Sequence, residues 1–293
     1  LVNGVTEPLG ESKLPAGDYT QMRLIIGASA DNGSNLNGNP HPHANYLLMA
    51  DNSTNELKIP SGPQTGIKLV NGFTINQDQT TELLLDFDAK RSVVKAGKSG
   101  LYLLKPTIKV LNVADHTSVQ GKVTTTANLV TSPLPGAFVS AQAGEPLQIQ
   151  AGTVTGYQGG YKLFLMPGSY TLVAAAEGYL PACDTLTLAT GDQLMIDFDL
   201  APAAEETTFN LSGTVTVAEA AEDQSVILTL YQDLNCNDST VATVVIRELN
   251  IAAGGDYDIS LPEGDYDIVA TTEDEIASLS IILDADTVQD FSF

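Results

Sequence analysis

A chain of 293 residues is long enough for two or three domains, each with its own core. Hydrophobic residues make up 43% of it and mean hydropathy is +0.04. That excludes a disordered chain, while no run reaches the roughly 18 apolar residues of a membrane span. Thirty-six acidic against 13 basic residues give a net charge of −23, a field that repels nucleic acid and anionic membrane surfaces alike.

Thr, Val, Leu, Asp and Gly dominate and Trp is absent, a balance that favours strands and turns over helices. The chain opens on Leu1-Val2-Asn3-Gly4-Val5, in mid-pattern and without an initiating Met, so a precursor is expected to begin upstream, carrying any targeting segment or anchor. Leu14-Pro15-Ala16-Gly17-Asp18-Tyr19 follows, with Pro and Gly just before a Tyr-led apolar run. Strands are then expected at Thr20–Ile26, Tyr46–Ala50, Gly66–Phe73, Thr80–Asp86 and Leu101–Val110. The Asn- and Gly-rich stretch Ala28–Ala44 is too polar for a core and reads as an exposed loop.

From about residue 115 the pattern restarts. Val119-Gln120-Gly121-Lys122-Val123 alternates as a half-buried strand does, and Gly160-Tyr161-Lys162-Leu163-Phe164-Leu165 leads into Met166-Pro167-Gly168-Ser169-Tyr170. Asp197-Phe198-Asp199 closes this unit, and the Ala/Glu/Pro-rich stretch Ala201–Glu206 reads as a linker. The same text then recurs. Leu211-Ser212-Gly213-Thr214-Val215 repeats the first strand, Leu261-Pro262-Glu263-Gly264-Asp265-Tyr266 the turn, and Asp290-Phe291-Ser292 the close, at offsets of 92 for Gly213 and 95 for Pro262. Near-equal offsets indicate homologous domains. Pro and Gly before a Tyr-led strand read as a hairpin turn, after which Tyr266, Ile268 and Ala270 take one face and Asp265 and Asp267 the other. Ala218–Asp223 is short enough to be a turn. The expected architecture is all-β, three consecutive β-sandwich domains over residues 1–114, 115–202 and 207–293.

Within residues 1–111, Leu14-Pro15-Ala16-Gly17-Asp18-Tyr19-Thr20-Gln21-Met22-Arg23-Leu24, the block Leu57–Leu69, then Leu85-Asp86-Phe87-Asp88-Ala89 and Tyr102-Leu103-Leu104-Lys105-Pro106-Thr107-Ile108 resemble a bacterial domain of unknown function found near the N-terminus of surface lipoproteins. That family opens with further strands, which this chain lacks. The second domain is similar to the carboxypeptidase regulatory-like domain, a transthyretin-like, Ig-like sandwich, through Gly121-Lys122-Val123, Gly160-Tyr161, Pro167-Gly168-Ser169-Tyr170 and Glu177-Gly178-Tyr179. The third resembles it more loosely, since Glu273-Asp274-Glu275 replaces Gly-Tyr after the turn. The resemblance implies a spacer or binding module and carries no catalytic residues.

The chemistry offered by the residues themselves is thin. Only His41, His43 and His116 supply imidazole, and no nucleophile elbow, P-loop or dinucleotide fingerprint is present. Asp86 with Asp88 and Asp197 with Asp199 sit two apart on strands, hence on one face, where a solvated strand accounts for them as well as a glycosidase pair. His41-Pro42-His43 supplies two ligands, short of a closed metal site, and exposed loop histidines are the plainer reading. Asp233, Asn235, Asn237 and Asp238 resemble the first half of a calcium loop, although the central Gly and distal Glu are missing and a polar hairpin turn explains the text; Asp31-Asn32-Gly33-Ser34-Asn35 is weaker still. Cys183 and Cys236 fall in different domains, so no disulfide framework is indicated and their oxidation state stays open.

These features point to a non-enzymatic structural or adhesive protein, extracellular or on the bacterial outer surface. Its expected partners are copies of itself or other cell-surface proteins, with membrane contact only through an upstream anchor. A first domain short of strands exposes a sheet edge that a neighbouring subunit would complete, giving head-to-tail filaments. The alternative is a carbohydrate- or calcium-binding accessory module of a surface lipoprotein; 6% aromatic residues and no Trp count against sugar stacking.

Overall fold

The computed structural model describes residues 9–35, 38–49, 51–59, 65–70, 72–87, 92–96, 101–106, 108–112, 117–218, 224–236 and 240–293. The chain is all-β. Its first part holds β1 (Gly17–Tyr19), β2 (Met22–Leu24), β3 (Tyr46–Leu48), β4 (Thr54–Lys58), β5 (Ile67–Leu69), β6 (Phe73–Ile75), β7 (Leu83–Phe87), β8 (Val93–Ala96), β9 (Leu101–Leu104) and β10 (Ile108–Asn112). They form a four-stranded sheet, β3-β4-β9-β8, and three two-stranded ladders, β1-β6, β2-β5 and β7-β10. Ile67, Leu69 and Leu104 are buried at its centre, with Met22, Leu24, Leu57, Leu85 and Phe87 packed around them. The expected strands Thr20–Ile26, Tyr46–Ala50 and Gly66–Phe73 are represented by the shorter β2, β3 and β5, Thr80–Asp86 by β7, which starts later and ends one residue beyond, and Leu101–Val110 divides into β9 and β10; β1, β4, β8 and all but the first residue of β6 were not expected.

The second domain consists of β11 (Thr117–Ala127), β12 (Val130–Pro133), β13 (Phe138–Ala143), β14 (Gln148–Val154), β15 (Gly160–Leu165), β16 (Gly168–Ala175), β17 (Ala182–Leu188), β18 (Gln193–Met195) and β19 (Phe198–Asp199). One sheet is built on β11, which pairs antiparallel with β15 and β12 and parallel with β18 and β19; the other runs β14-β13-β16-β17. The third domain has β20 (Thr208–Thr216), β21 (Ser225–Asn235), β22 (Val241–Ala252), β23 (Gly255–Pro262), β24 (Gly264–Thr271), β25 (Ile276–Leu283), β26 (Thr287–Val288) and β27 (Phe291–Ser292). Here β20 takes β23 antiparallel and β26 and β27 parallel, and the second sheet runs β22-β21-β24-β25. The two topologies superimpose strand for strand, except that the β12 hairpin of the second domain has no counterpart among the described residues of the third.

The Pro-Gly-Tyr phrase is not a hairpin. β15 belongs to the β11 sheet and β16 to the opposite one, just as β23 and β24 lie in different sheets, so the phrase carries the chain across the core from one layer to the other. The reason lies in the tyrosine. Its hydroxyl donates to the carbonyl four residues upstream in all three copies, Tyr19 to Pro15 at 2.9 Å, Tyr170 to Met166 at 2.9 Å and Tyr266 to Pro262 at 2.6 Å. That bond turns a corner, as tyrosine corners do in Ig-like sandwiches. The expected alternation after it is correct: Tyr266, Ile268 and Ala270 are buried, and Asp265 and Asp267 exposed.

Candidate functional site: the acidic strands and the domain junction

The closing Asp-Phe-Asp strand is a structural lock. In the second domain β18 leaves β11 and β19 rejoins it, so the backbone at Ile196 swings against Gly121. A Cβ on Gly121 would lie 1.8 Å from the Ile196 carbonyl oxygen, and one on Gly213 would lie 1.9 Å from that of Gln289; only glycine fits. Tyr161 and Tyr257 hydroxyls donate to these two carbonyls at 2.6 and 2.5 Å. Asp197 then accepts the Lys122 N–H, and Asp290 the Thr214 N–H, each at 2.7 Å, which places Phe198 and Phe291 in the two cores. Asp199 accepts from the Thr124 hydroxyl at 3.1 Å. These carboxylates thus hold backbone N–H groups and a neighbouring hydroxyl. Burial first, then the Asp290 carboxylate, pushes the Tyr257 hydroxyl up to about 12; Tyr161 is raised by burial first, with Asp197 and Asp184 adding to it. Asp86 stands opposite Lys109 in the β7–β10 register, and Asp88 lies outside the described residues.

Both loop histidines are half-buried rather than exposed, and His41 is held by an acidic neighbour. His41 Nδ1 lies 2.8 Å from Asp31, and its ring sits edge-on to Tyr46 at 5.8 Å. The Gly33 N–H is the largest of the influences that hold the Asp31 carboxyl below its usual range, with partial desolvation opposing it and His41 assisting. Asp31-Asn32-Gly33 is thus an Asx-type turn braced by an imidazole. His116 lies outside the described residues.

The calcium loop divides in the same way. Asp233 and Asn235 belong to β21, where Asp233 accepts the Thr243 hydroxyl from β22. Cys236 donates its N–H to Thr240 across the hairpin end at 2.8 Å; Asn237 and Asp238 lie outside the described residues. Among the described residues no group of three His, Cys, Asp or Glu is placed to hold a metal ion, and no helix is long and apolar enough to cross a membrane.

The feature that sequence reasoning missed is the junction of the second and third domains. Cys183 and Cys236, whose oxidation state the sequence leaves open, are disulfide-bonded, with Cα atoms 4.7 Å apart. The docking of the two sandwiches brings them together. Along β13, Val139 and Ala141 face the second domain's own core, while Ser140 and Gln142 are buried on the opposite face. Gln142 reaches the edge strand β22, donating Nε2–H to the Val245 carbonyl at 2.6 Å and accepting the Val245 N–H at 2.8 Å. A side-chain amide thereby stands in for a strand, beside a bulge where Leu230 faces Arg247 and Tyr231 faces Val245. Val173 and Cys183 of the second domain belong to the third domain's hydrophobic cluster, so one core runs across the junction. The linker is pinned too. Leu180 N–H donates to Ala201 and Ala203 N–H to Gly178, each at 2.9 Å. Between the domains remains a crevice of about 50 Å³, lined by Phe138, Ile149 and Tyr179 on one side and Ile227, Ile246 and Leu261 on the other. The legible signals were the pairable number of cysteines and a lone Gln in an otherwise small-residue and apolar strand.

Residues 1–106 match the family model of a domain of unknown function (DUF4382), and residues 118–201 match that of the carboxypeptidase regulatory-like domain. No curated protein matches the chain. Among solved structures, the Bacillus anthracis TIE protein is similar over 95% of this chain and 51% of its own, at 12% identity and a TM-score of 0.26. A DUF3823 family protein from Parabacteroides merdae is similar over 58% and 99%, at 12% identity and 0.24, and the shaft pilin spaA of Lactobacillus rhamnosus GG over 60% and 96%, at 10% and 0.23. The chain spans about half the length of the first of these.

Proposed function

We propose that this chain is a non-enzymatic structural or adhesive protein displayed outside the cell. The observation that carries this reading is the junction. A disulfide, a buried two-point amide contact and a shared apolar cluster tie two sandwiches into one body, as a load-bearing or spacing element requires and as a free-hinged binding module does not. A buried disulfide also suits an oxidising extracellular setting. The carboxylates that would attract a catalytic reading support strand handovers instead.

In this reading the partners are further copies or other surface proteins. The ladders β1-β6, β2-β5 and β7-β10 each hold only two strands among the described residues, and such edges offer backbone groups that a strand from a neighbouring subunit completes. Labelling of intact cells with a membrane-impermeant amine reagent tests the location. Labelling of the protein on whole cells is expected; labelling only after lysis contradicts it.

A further inference from the structure

The strand β25 (Ile276–Leu283) is an edge of the sheet β22-β21-β24-β25, and it pairs with β24 through unbroken rungs from Gly264 opposite Leu283 to Thr271 opposite Ile276. It has no other partner among the described strands. The turn fixes which way its backbone groups point. Thr272 N–H donates to the Glu275 carbonyl at 2.9 Å, so that pair is a bonded one, and bonded pairs alternate with non-bonded ones along an antiparallel ladder. Ile276, Ser278, Ser280 and Ile282 therefore turn N–H and C=O away from β24, a row of donors and acceptors along about 26 Å of strand. The same alternation, carried across the sheet, leaves the Val245 N–H and C=O at the opposite edge, where Gln142 meets both. Among the described residues no backbone group meets the row on β25.

Open edges invite unwanted pairing, and the other described edges of residues 117–293 are blunted. Bulges interrupt β14 and β22. Lys162 lies in β15, Asp184 in β17, and Asp256 and Asp258 in β23; β12 ends on Pro133, and β18, β19, β26 and β27 have two or three residues each. None of these devices is present in β25. It is eight residues long, uncharged and free of Pro and Gly, and its outward side chains include Ile276 and Ile282, each 72% exposed.

Charge selects what such an edge takes. Residues 248–293 hold twelve Asp and Glu and no Lys or Arg. Exposed Glu273, Asp274 and Glu275 precede β25, and exposed Asp284 and Asp286 follow it. A second β25 is disfavoured by the same residues. Antiparallel pairing sets the first acidic group against the second, parallel pairing sets each against itself, and like charges opposite one another destabilise a ladder. A strand with basic residues at both ends meets the acids favourably.

We propose that β25 takes a strand from a different protein, an extended segment of alternating apolar residues bracketed by Lys or Arg, which adds a fifth strand to the sheet. Backbone bonds to Ile276, Ser278, Ser280 and Ile282 hold it, the two isoleucines pack against its outward apolar side chains, and the acidic ends fix its position along the edge. The proposal rests on the adhesive reading above and names the chemistry of the partner; its contact is separate from the first domain's sheet edges.

Fluorescence anisotropy on the whole protein tests it, with a labelled peptide of alternating Val and Thr carrying two Lys at each end. Saturable binding is expected, weaker in 0.5 M salt because screening removes the attraction of opposite charges, and at least tenfold weaker for a Gly-Ser peptide with the same lysines. Ser278→Pro removes one donor from the open edge and leaves the β24 ladder intact, since that N–H points away from β24; it is expected to weaken binding at least tenfold with an unchanged thermal melt. Glu273→Lys with Glu275→Lys reverses one acidic end on exposed residues, is expected to give a similar loss, and decides the matter if Ser278→Pro does not fold. Equal binding of the Gly-Ser peptide, binding undiminished in a folded variant, or no binding of the Val-Thr peptide would each overturn the proposal, while surface labelling still reports separately on the adhesive reading. Self-association of the wild-type protein that Ser278→Pro abolishes, read by sedimentation velocity, would overturn it in favour of a second copy.

Discussion

Replacing Gly121 by alanine puts a methyl group 1.8 Å from the Ile196 carbonyl oxygen. Contacts of that kind begin near 3 Å, so the carbonyl must retreat by more than an ångström. That carbonyl accepts from Tyr161 at 2.6 Å, and the next residue, Asp197, holds the Lys122 N–H at 2.7 Å. Both bonds are lost or stretched, at about 1 to 3 kcal/mol each for a buried or charge-assisted bond, and Phe198 is levered from the core. We expect Gly121→Ala to lose about 4 kcal/mol, a severe effect for a single methyl. The third domain makes the test sharper. Gly213 faces the Gln289 carbonyl at 1.9 Å, with Tyr257 and Asp290 in the matching roles, so Gly213→Ala should cost a similar amount. Urea unfolding followed by near-ultraviolet circular dichroism of the tyrosines measures both, with Gly27→Ala, whose added methyl meets only one atom at 3.8 Å, as the control. If either variant stays within 0.5 kcal/mol of the parent, the strand handover is not the constraint described.

Removing the disulfide by Cys183→Ser with Cys236→Ser frees a loop with a sequence separation of 53 residues, for which chain entropy gives a loss of about 4 kcal/mol; calorimetry of the oxidised and reduced protein should show the same ordering. Gln142→Leu leaves the Val245 N–H and carbonyl buried without their partner, at a cost of about 3 kcal/mol, and the loss should appear as faster amide exchange at Val245. Alkali weakens the sandwiches. Burial pushes the Tyr257 and Tyr266 hydroxyls up to about 12, against 10 in the free residue. The folded state therefore keeps protons that the unfolded chain releases, so their contribution is complete below pH 10 and is lost as pH rises from 10 to about 12. Phenolate absorbance at 295 nm, rising together with unfolding rather than ahead of it, checks this.

The repeat within residues 117–293 was legible because its matching residues answer backbone demands that any sequence must meet in the same way. Gly121 and Gly213 admit a crossing carbonyl, Tyr170 and Tyr266 close corners, and Asp197 and Asp290 satisfy a stranded N–H. The same local chemistry misled on topology. Pro and Gly before a strand mark a change of direction, and nothing local says whether the chain returns to its own sheet or crosses to the facing one. β4, Thr54–Lys58, was missed because Asn55 and Leu57 alternate with Thr54, Glu56 and Lys58, a mostly polar run. The junction was illegible for a deeper reason: Gln142 meets Val245 and Cys183 meets Cys236 only after two finished sandwiches dock. No periodicity along the chain encodes which outer faces are covered, and only the odd polar residue on β13 hints at it. At Asp233 and Asn235, alternating oxygen-bearing side chains fit an exposed strand as well as a ligand set, and Asn237 and Asp238 lie outside the described residues.

Electron microscopy of the native protein at micromolar concentration and moderate salt tests the central claim most directly. A structural protein whose sheet edges are completed by a neighbour should give filaments or ordered oligomers with a repeat set by one subunit. A field of uniform monomers across the concentration range would contradict the account.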